Sequence, residues 1–409
     1  MNKKLLLTIG LIIYLIIAFV TEIFYRNKLY DKSVDYIEKI DQDGFFKYFY
    51  FFWSYIFLFG SMSIGIIITF ILYPINIFYS YLSIQLFFFC IMSLLKSLYS
   101  NPRPYWDIYV KNQGINQNKF LPYPTECEGE FGNPSGHALL ATNLLILWDL
   151  FLNSNYFKIQ GKKQKAFLKY LFLALSISCI LCIIYSRVHR QVHSFNQILF
   201  GIILGIGVYL VICQILEINK TEPKIYMENL NKFKFIVIPI FIILFGISLT
   251  LGLTRHNEDE DKYKKILKLY CDLDDENEMF GRTTALLSTT IFVVIGGYIG
   301  LLFLNYRIKK NYSNKENLFY YWNKGSKLAT LKVAFFTALL PSIPFTPIIF
   351  IKNYVLKIVI WSLIFFCFGF CLFGIAFYYA CVLFKKEEIG KENLHLIYNY
   401  DNEIEQQKE

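Results

Sequence analysis

Long apolar runs, separated by short bands of charged residues, occupy most of this 409-residue chain. Runs of this length match the hydrocarbon thickness of a bilayer when they are helical. Nine of them predict transmembrane helices, at residues 48–72, 75–99, 137–153, 167–187, 197–217, 234–254, 283–304, 328–351 and 355–384. The predicted fold is therefore all-α, a polytopic membrane helical bundle with nine core transmembrane helices.

A further apolar stretch at the N-terminus follows two lysines and resembles a secretory signal. It is either a cleaved signal peptide or a retained signal anchor, and the sequence leaves both open. The predicted regions are the signal segment 1–24, an exoplasmic segment 25–45, a catalytic core of five helices 46–217, a C-terminal region of four helices 234–384 and a cytosolic tail 385–409.

Composition supports a membrane protein and argues against nucleic-acid binding. The chain is 55% hydrophobic with a mean hydropathy of +0.41, which is too apolar for a soluble protein of this size. The net charge of +10 is spread over several loops and the tail, whereas a nucleic-acid surface needs a concentrated basic face. Membrane lipid is thus an expected partner and nucleic acid is not, and the oligomeric state stays undetermined.

Three short polar motifs stand where apolar runs end. They are Lys96 with Arg103-Pro104, then Pro134-Ser135-Gly136-His137, then Ser186-Arg187 with His193. Alternating the spans from a cytosolic N-terminus brings all three motifs to the same exoplasmic side of the membrane. Residues far apart in the chain are therefore predicted to form one site.

The motifs contain the groups that a phosphate monoester needs. Arg103 and Arg187 each offer a planar fork of donors, and Lys96 adds a compact charge. Ser135 and Gly136 precede a predicted helix, where a hydroxyl and closely approaching backbone N–H groups suit an anion. These five residues are the predicted phosphate-binding set.

Two histidines complete the predicted chemistry. His193 is the candidate nucleophile, which forms a phospho-imidazole that water later hydrolyses. His137 is the candidate general acid for the departing alcohol. Gln197 lies one helical turn after His193, where its amide oxygen can orient the imidazole. This chemistry requires no metal ion and no organic cofactor.

Other interpretations remain open at this point. Taken alone, Lys96 is typical of an interfacial lysine and His193 of a structural histidine. Intramembrane cations also occur in anion channels and transporters, and an inactive relative would keep the same pattern. The pair of histidines argues against conduction, because moving an anion needs no nucleophile. Cys127 and Cys271 fall in hydrophilic loops on one predicted side, so a disulfide between them is allowed.

In these motifs the chain resembles the type 2 phosphatidic acid phosphatase superfamily, whose pattern is K-x6-RP, PSGH and SR-x5-H-x3-D. Gln197 stands where that pattern has its final Asp. The glucose-6-phosphatase branch is similar at this step. The run Arg103-Pro104-Tyr105-Trp106 and the Cys-Glu segment before the PSGH motif also resemble that branch.

The resemblance implies a metal-independent membrane phosphatase that acts on a small phosphorylated substrate from the lumenal side. A sugar phosphate such as glucose 6-phosphate is the first expectation, and a lipid phosphate is the alternative. By the same resemblance His193 is the phosphorylated residue and His137 the proton donor. The expected location is the endoplasmic reticulum or another endomembrane.

Overall fold

A computed structural model describes most of the chain. It covers residues 3–40, 46–57, 65–66, 75–111, 127–146, 162–218, 223–254, 259–271, 273, 279–311, 353–376 and 378–379. The regular elements within these ranges are all helical, which confirms the predicted all-α class.

Twelve α-helices lie within the described ranges. In chain order they are α1 (Lys3–Ile37), α2 (Phe46–Phe51), α3 (Ile75–Tyr99), α4 (Pro104–Lys111), α5 (Gly136–Ala141), α6 (Lys162–His189), α7 (Phe195–Ile218), α8 (Pro223–Thr254), α9 (Glu260–Cys271), α10 (Phe280–Ser288), α11 (Ile291–Asn311) and α12 (Tyr354–Phe370). Two π-helical turns, Phe52–Phe57 and Cys371–Ala376, continue α2 and α12.

Six helical stretches of the described chain are long and apolar enough to cross a bilayer. They are Ile9–Ile37, Ile77–Lys111, Ala166–His189, Lys234–Thr254, Phe280–Arg307 and Tyr354–Ala376. The prediction of a polytopic helical membrane protein is confirmed. The count of nine spans is not confirmed, because the predicted span 328–351 lies outside the described residues and 48–72 is described only in part.

The chain divides into two compact units. The first contains residues 1–72, 80–220 and 239–291, and the second contains 73–79, 221–238 and 292–409. In the second unit, α11 and α12 approach backbone to backbone at glycines. A Cβ atom on Gly296 would lie 2.0 Å from the carbonyl oxygen of Phe366, so a larger residue does not fit there.

The N-terminal helix α1 is an integral part of the first unit. It runs unbroken through the predicted boundary at residue 24 and packs along α7. The Tyr14 hydroxyl donates to the carbonyl of Ile203 (2.7 Å), and the rings of Phe19 and Phe200 meet edge to face at 5.5 Å. The polar part of α1 after position 24 also packs on the first unit, where the Ser33 hydroxyl accepts from the N–H of Phe195 (2.8 Å).

At the end of α6 the chain reverses its direction. The N–H of Gln191 donates to the carbonyl of Val188 (2.9 Å), and that of Val192 donates to Arg187 (3.3 Å). With Gln191 in the left-handed region (φ 62°), this pair of bonds is a Schellman cap, which ends a helix and reverses the chain. His193 therefore follows directly after the reversal and lies close to Arg187.

Candidate active site

Three cationic side chains meet where α3 and α6 end. Lys96 and Arg187 stand in the last turns of these helices. Arg103 follows α3 after a left-handed residue, Ser100 (φ 48°). All three cations are at most 1% exposed. Helix C-termini favour positive charge, but burying three like charges together requires anions beside them.

Two glutamates supply those anions. Glu128 lies between two guanidinium groups: its carboxylate is 2.5 Å from Nη2 of Arg103 and also accepts from Nη2 of Arg187. Glu130 pairs with the Lys96 ammonium and lies 3.3 Å from Nη2 of Arg103. Three cations against two carboxylates leave one positive charge in excess, so this cluster favours an additional or more highly charged anion.

Two backbone carbonyls fix the orientation of the Arg103 guanidinium. Its Nε donates to the carbonyl of Glu130 (2.8 Å) and its Nη1 to the carbonyl of Val192 (3.0 Å). Burial by itself raises the pKa of the Glu128 carboxyl, but the charges of Arg103 and Arg187 outweigh it and hold that pKa well below its ordinary value. Glu128 is therefore ionised at neutral pH.

A hydrogen-bond chain orients His193. The Gln197 side-chain amide donates from Nε2 to the carbonyl of Pro102 (2.8 Å), and its oxygen accepts from the N–H of Ser194 (3.2 Å). With the amide oriented in this way, its oxygen faces Nδ1 of His193 at 3.2 Å. Nδ1 must then carry the proton, which leaves the lone pair on Nε2.

The lone pair on His193 points toward the cation cluster. Nε2 lies 3.4 Å from Nη1 of Arg103. Burial lowers the pKa of His193 well below its ordinary value, and the charges of Arg103 and Arg187 lower it further. A neutral imidazole that keeps its lone pair on Nε2 beside an anion-binding cluster is the form that a nucleophile requires.

The Ser135-Gly136 turn is packed tightly against α7. Ser135 caps α5, because its hydroxyl oxygen accepts from the N–H of Ala138 (3.4 Å). Its own N–H donates to the carbonyl of Gln197 (2.9 Å), so that N–H is not directed at a ligand. A Cβ atom on Gly201 would lie 2.5 Å from the Ser135 carbonyl oxygen, so the turn fits only against a glycine on α7. The Ser135 hydroxyl keeps its hydrogen for donation.

His137 belongs to the same cluster. It follows Gly136 in the first turn of α5 and is half-buried. Its imidazole interacts electrostatically with Arg187 and Glu128. The structure thus brings both predicted histidines and all three predicted cations to one end of the first unit.

A disulfide anchors the segment that carries the glutamates. Cys127 and Cys271 are bonded to each other across 144 residues of sequence. The carbonyl of Gly129 accepts from the N–H of Phe280 (2.6 Å), and that of Glu128 accepts from the Tyr105 hydroxyl (3.0 Å). The acidic segment is therefore anchored at three consecutive residues beside its carboxylates.

Sequence reasoning missed two features of this site. Glu128 and Glu130 were not predicted as partners of the cations, although two acidic residues just before the PSGH motif were an available signal. Glu22 was included in the signal segment, yet it is buried beside the site. A charged residue inside an apolar run is itself a signal. In the described part of the chain, no group of three or more His, Cys, Asp or Glu side chains is arranged to hold a metal ion.

Fold and site together define a polytopic helical membrane protein with a buried anion-binding cluster beside two histidines. The sequence profile of the PAP2 superfamily matches residues 74–220, a range that holds both histidines and all three cations. This part of the chain therefore matches the PAP2 superfamily, and the predicted resemblance is confirmed.

Three curated relatives have the same name. Glucose-6-phosphatase catalytic subunit 1 of Haplochromis nubilus is 29% identical over 163 residues, which are 38% of this chain and 42% of that protein. The protein of that name from Haplochromis xenognathus is 29% identical over 154 residues (36% and 50%), and that from Felis catus is 27% identical over 160 residues (36% and 40%). The chain therefore matches half or less of each relative's length. No solved structure matches it significantly.

Proposed function

We propose that this protein is an integral membrane phosphohydrolase that cleaves a phosphomonoester through a phosphohistidine on His193. The observation that best supports the proposal is the convergence of three buried cations on anionic groups directly beside the His193 lone pair. Arg103 connects the cations to the proposed nucleophile, because its Nη1 lies 3.4 Å from Nε2 of His193. A phosphoryl group held by these cations would present its phosphorus to that nitrogen.

The phosphoryl group of the substrate takes the place that the Glu128 and Glu130 carboxylates hold. Both glutamate side chains are partly exposed (21% and 15%), whereas the cations are buried. The carboxylates can therefore turn into water while the cations stay in place. A phosphomonoester carries nearly two negative charges at neutral pH, and the three cations can balance them once the two carboxylates have turned away.

In the first step the Nε2 lone pair of His193 attacks phosphorus. A P–N bond forms while the P–O bond to the alcohol breaks, and His137, which is protonated at the start of the step, gives its proton to the departing oxygen. The equatorial oxygens gain charge in this transition state. Lys96, Arg103 and Arg187 stabilise that charge, and because they are already in position they need no reorganisation.

In the second step water attacks the phosphohistidine. His137, now neutral, accepts a proton from the water, the P–N bond breaks, and inorganic phosphate leaves. His193 returns to its neutral form with the proton still on Nδ1. Gln197 keeps the imidazole in this orientation throughout, because its amide is held at both ends by backbone groups.

The substrate proposed first is a sugar phosphate such as glucose 6-phosphate. The names of the three relatives support this choice, as does the similar Cys-Glu segment before the PSGH motif. A lipid phosphate is the second candidate, and the family match over residues 74–220 supports it equally. A sugar needs polar contacts open to water, while a lipid needs access from the bilayer.

The active site is proposed to face the lumen of the endoplasmic reticulum or another endomembrane. The disulfide between Cys127 and Cys271 supports this orientation, because disulfides persist in oxidising compartments. Cys127 directly precedes Glu128, so the disulfide and the site share one side of the membrane.

Detergent-purified protein tests the proposal directly. Wild type should release phosphate from glucose 6-phosphate faster than from a short-chain phosphatidate, and chelators should not slow it. With a labelled phosphoryl group it should form an acid-labile adduct. His193→Ala should abolish both turnover and label at normal expression, and His189→Ala is the matched histidine control.

Distinct outcomes contradict distinct parts of the proposal. Full turnover by His193→Ala would remove the covalent step, and preference for the phosphatidate would favour the lipid candidate. Absence of hydrolysis with every phosphomonoester would favour a channel or an inactive relative.

A further inference from the structure

Helix α1 lies outside the residues that match the PAP2 profile, yet it carries a fully buried carboxylate. Glu22 is 0% exposed and stands inside the candidate membrane span Ile9–Ile37. A carboxylate in such a segment is costly to bury and is kept when it has a specific partner.

Glu22 pairs with Arg26 on its own helix (4.0 Å), and a second partner immediately precedes the PSGH motif. Nδ2 of Asn133, which is also fully buried, donates to Oε1 of Glu22 (2.8 Å) and to Oδ1 of Asn101 (3.2 Å). Both hydrogens of the amide are therefore used. The N–H of Gly132 donates to the carbonyl of Asn101 (2.9 Å). These bonds hold the chain at the entry to the turn that carries His137.

The same helix also holds the segment around His193. The Ser33 hydroxyl accepts from the N–H of Phe195, the first residue of α7 (2.8 Å), which has no acceptor within its own helix. The carbonyl of Ile37 accepts from the side chain of Gln191 (3.3 Å). Glu22 and Ser33 are about 16 Å apart along the helix axis. One rigid element therefore contacts both histidine segments.

We propose that Glu22 is a positioning residue for phosphoryl transfer, and this inference rests on the proposed function. Through Asn133 it fixes the turn that positions the general acid His137 at the leaving group. Its contact with Asn133 is a hydrogen bond to one carboxylate oxygen, which an amide can reproduce and a methyl group cannot. Loss of the bond misplaces the general acid and leaves the cation cluster intact.

Steady-state kinetics of three variants test this role. Misplacing a catalytic group slows the reaction more than it weakens binding, so Glu22→Ala should lose at least about tenfold in kcat with KM changed by less than about twofold. Glu22→Gln keeps the acceptor oxygen and should recover kcat to within about threefold of wild type. Phe24→Ala removes a side chain that is 81% exposed on the same helix and should behave like wild type.

A double-mutant cycle with Asn133 locates the effect. If Glu22 acts through Asn133, adding Glu22→Ala to Asn133→Ala should cause no further loss of kcat. Losses that multiply would overturn the inference. So would wild-type kcat in Glu22→Ala, or a Glu22→Gln variant as slow as Glu22→Ala.

Amide exchange separates this inference from the proposed function. Residues 132–137 should exchange faster in Glu22→Ala than in wild type or in Glu22→Gln. A wild-type protein that hydrolyses no phosphomonoester would refute the proposed function, and the exchange data would still decide whether Glu22 holds the turn. Unchanged exchange in Glu22→Ala would refute the positioning role even in an active enzyme.

Discussion

The first unit contains two acidic clusters that are built from different partners. In the cation cluster, Glu128 and Glu130 face three side chains that carry full positive charges. In the second cluster, Asp107 accepts from the hydroxyls of Tyr30 (2.5 Å) and Tyr263 (2.6 Å). The tyrosine pair joins α1, α4 and α9 through one carboxylate.

The difference in partners separates a ligand site from a structural joint. Arginine keeps its charge when a carboxylate leaves, so another anion can take the place of that carboxylate. Neutral hydroxyls offer no excess charge to hold a competing anion, and each has one hydrogen to donate. We therefore expect the cation cluster to govern turnover and the Asp107 cluster to govern stability.

The largest expected effect comes from removing one fork of the cation cluster. Arg187→Ala should lower kcat/KM roughly a thousandfold, because a preorganised donor to the phosphoryl oxygens is lost. Arg187→Lys keeps the charge without the fork and should lie between Ala and wild type. The exposed Arg307→Lys is the matched control. Near-normal kcat/KM in Arg187→Ala would place the substrate phosphate elsewhere.

A substitution in the Asp107 cluster should lower stability and leave turnover almost unchanged. Asp107→Asn leaves one tyrosine hydroxyl facing an amide donor, and it should lower the free energy of unfolding by about 1–3 kcal/mol. The folded fraction should keep kcat within about threefold of wild type, because Asp107 does not contact the cations. Unfolding midpoints and turnover of the same preparation measure both quantities. A large loss of kcat with normal stability would erase the distinction between the two clusters.

Sequence reasoning recovered those features that depend on local pattern. The predicted span 75–99 coincides with α3, and the predicted span 234–254 lies within α8. The length and apolarity of each run decide such helices. The motifs were predicted to meet because each stands at the end of a span, and the structure places Lys96 beside Arg103 at the end of α3.

What escaped prediction depends on tertiary partners. The segment 25–45 was predicted only as exoplasmic, with no secondary structure assigned to it. Helix α1 continues to Ile37, where Tyr30 and Ser33 have hydrogen-bond partners on α4 and α7. Glu22 was included in the predicted signal segment, because the hydrogen bond that it accepts from Asn133 cannot be inferred from hydropathy. The pairing of Glu128 with two arginines depends on a chain reversal that periodicity does not encode.

A carboxylate placed next to His193 tests whether the pKa of that histidine sets the acidic limb of kcat/KM. Gln197→Glu places an anion beside Nδ1 of His193, whose pKa is now held low by burial and by Arg103 and Arg187. The new charge stabilises the imidazolium and raises that pKa. Neutral nucleophile is then lost at a higher pH, so the acidic limb of kcat/KM should move upward by about one unit. Measuring both enzymes with one substrate cancels the substrate's own titration, and an unmoved limb would mean that another group titrates.

The smallest effect tests whether a resident carboxylate competes with the ligand. Glu130→Gln removes the charge that pairs with Lys96 and Arg103. A phosphate-like oxyanion then no longer has to displace that charge. Inhibition by inorganic phosphate or vanadate should tighten by about three- to tenfold, which corresponds to roughly 1 kcal/mol. Glu38→Gln alters the exposed pair with Lys111 and should leave inhibition unchanged. Weaker inhibition of Glu130→Gln would instead show that Glu130 orders the cations for the ligand. The carboxylates of both clusters would then have a structural role.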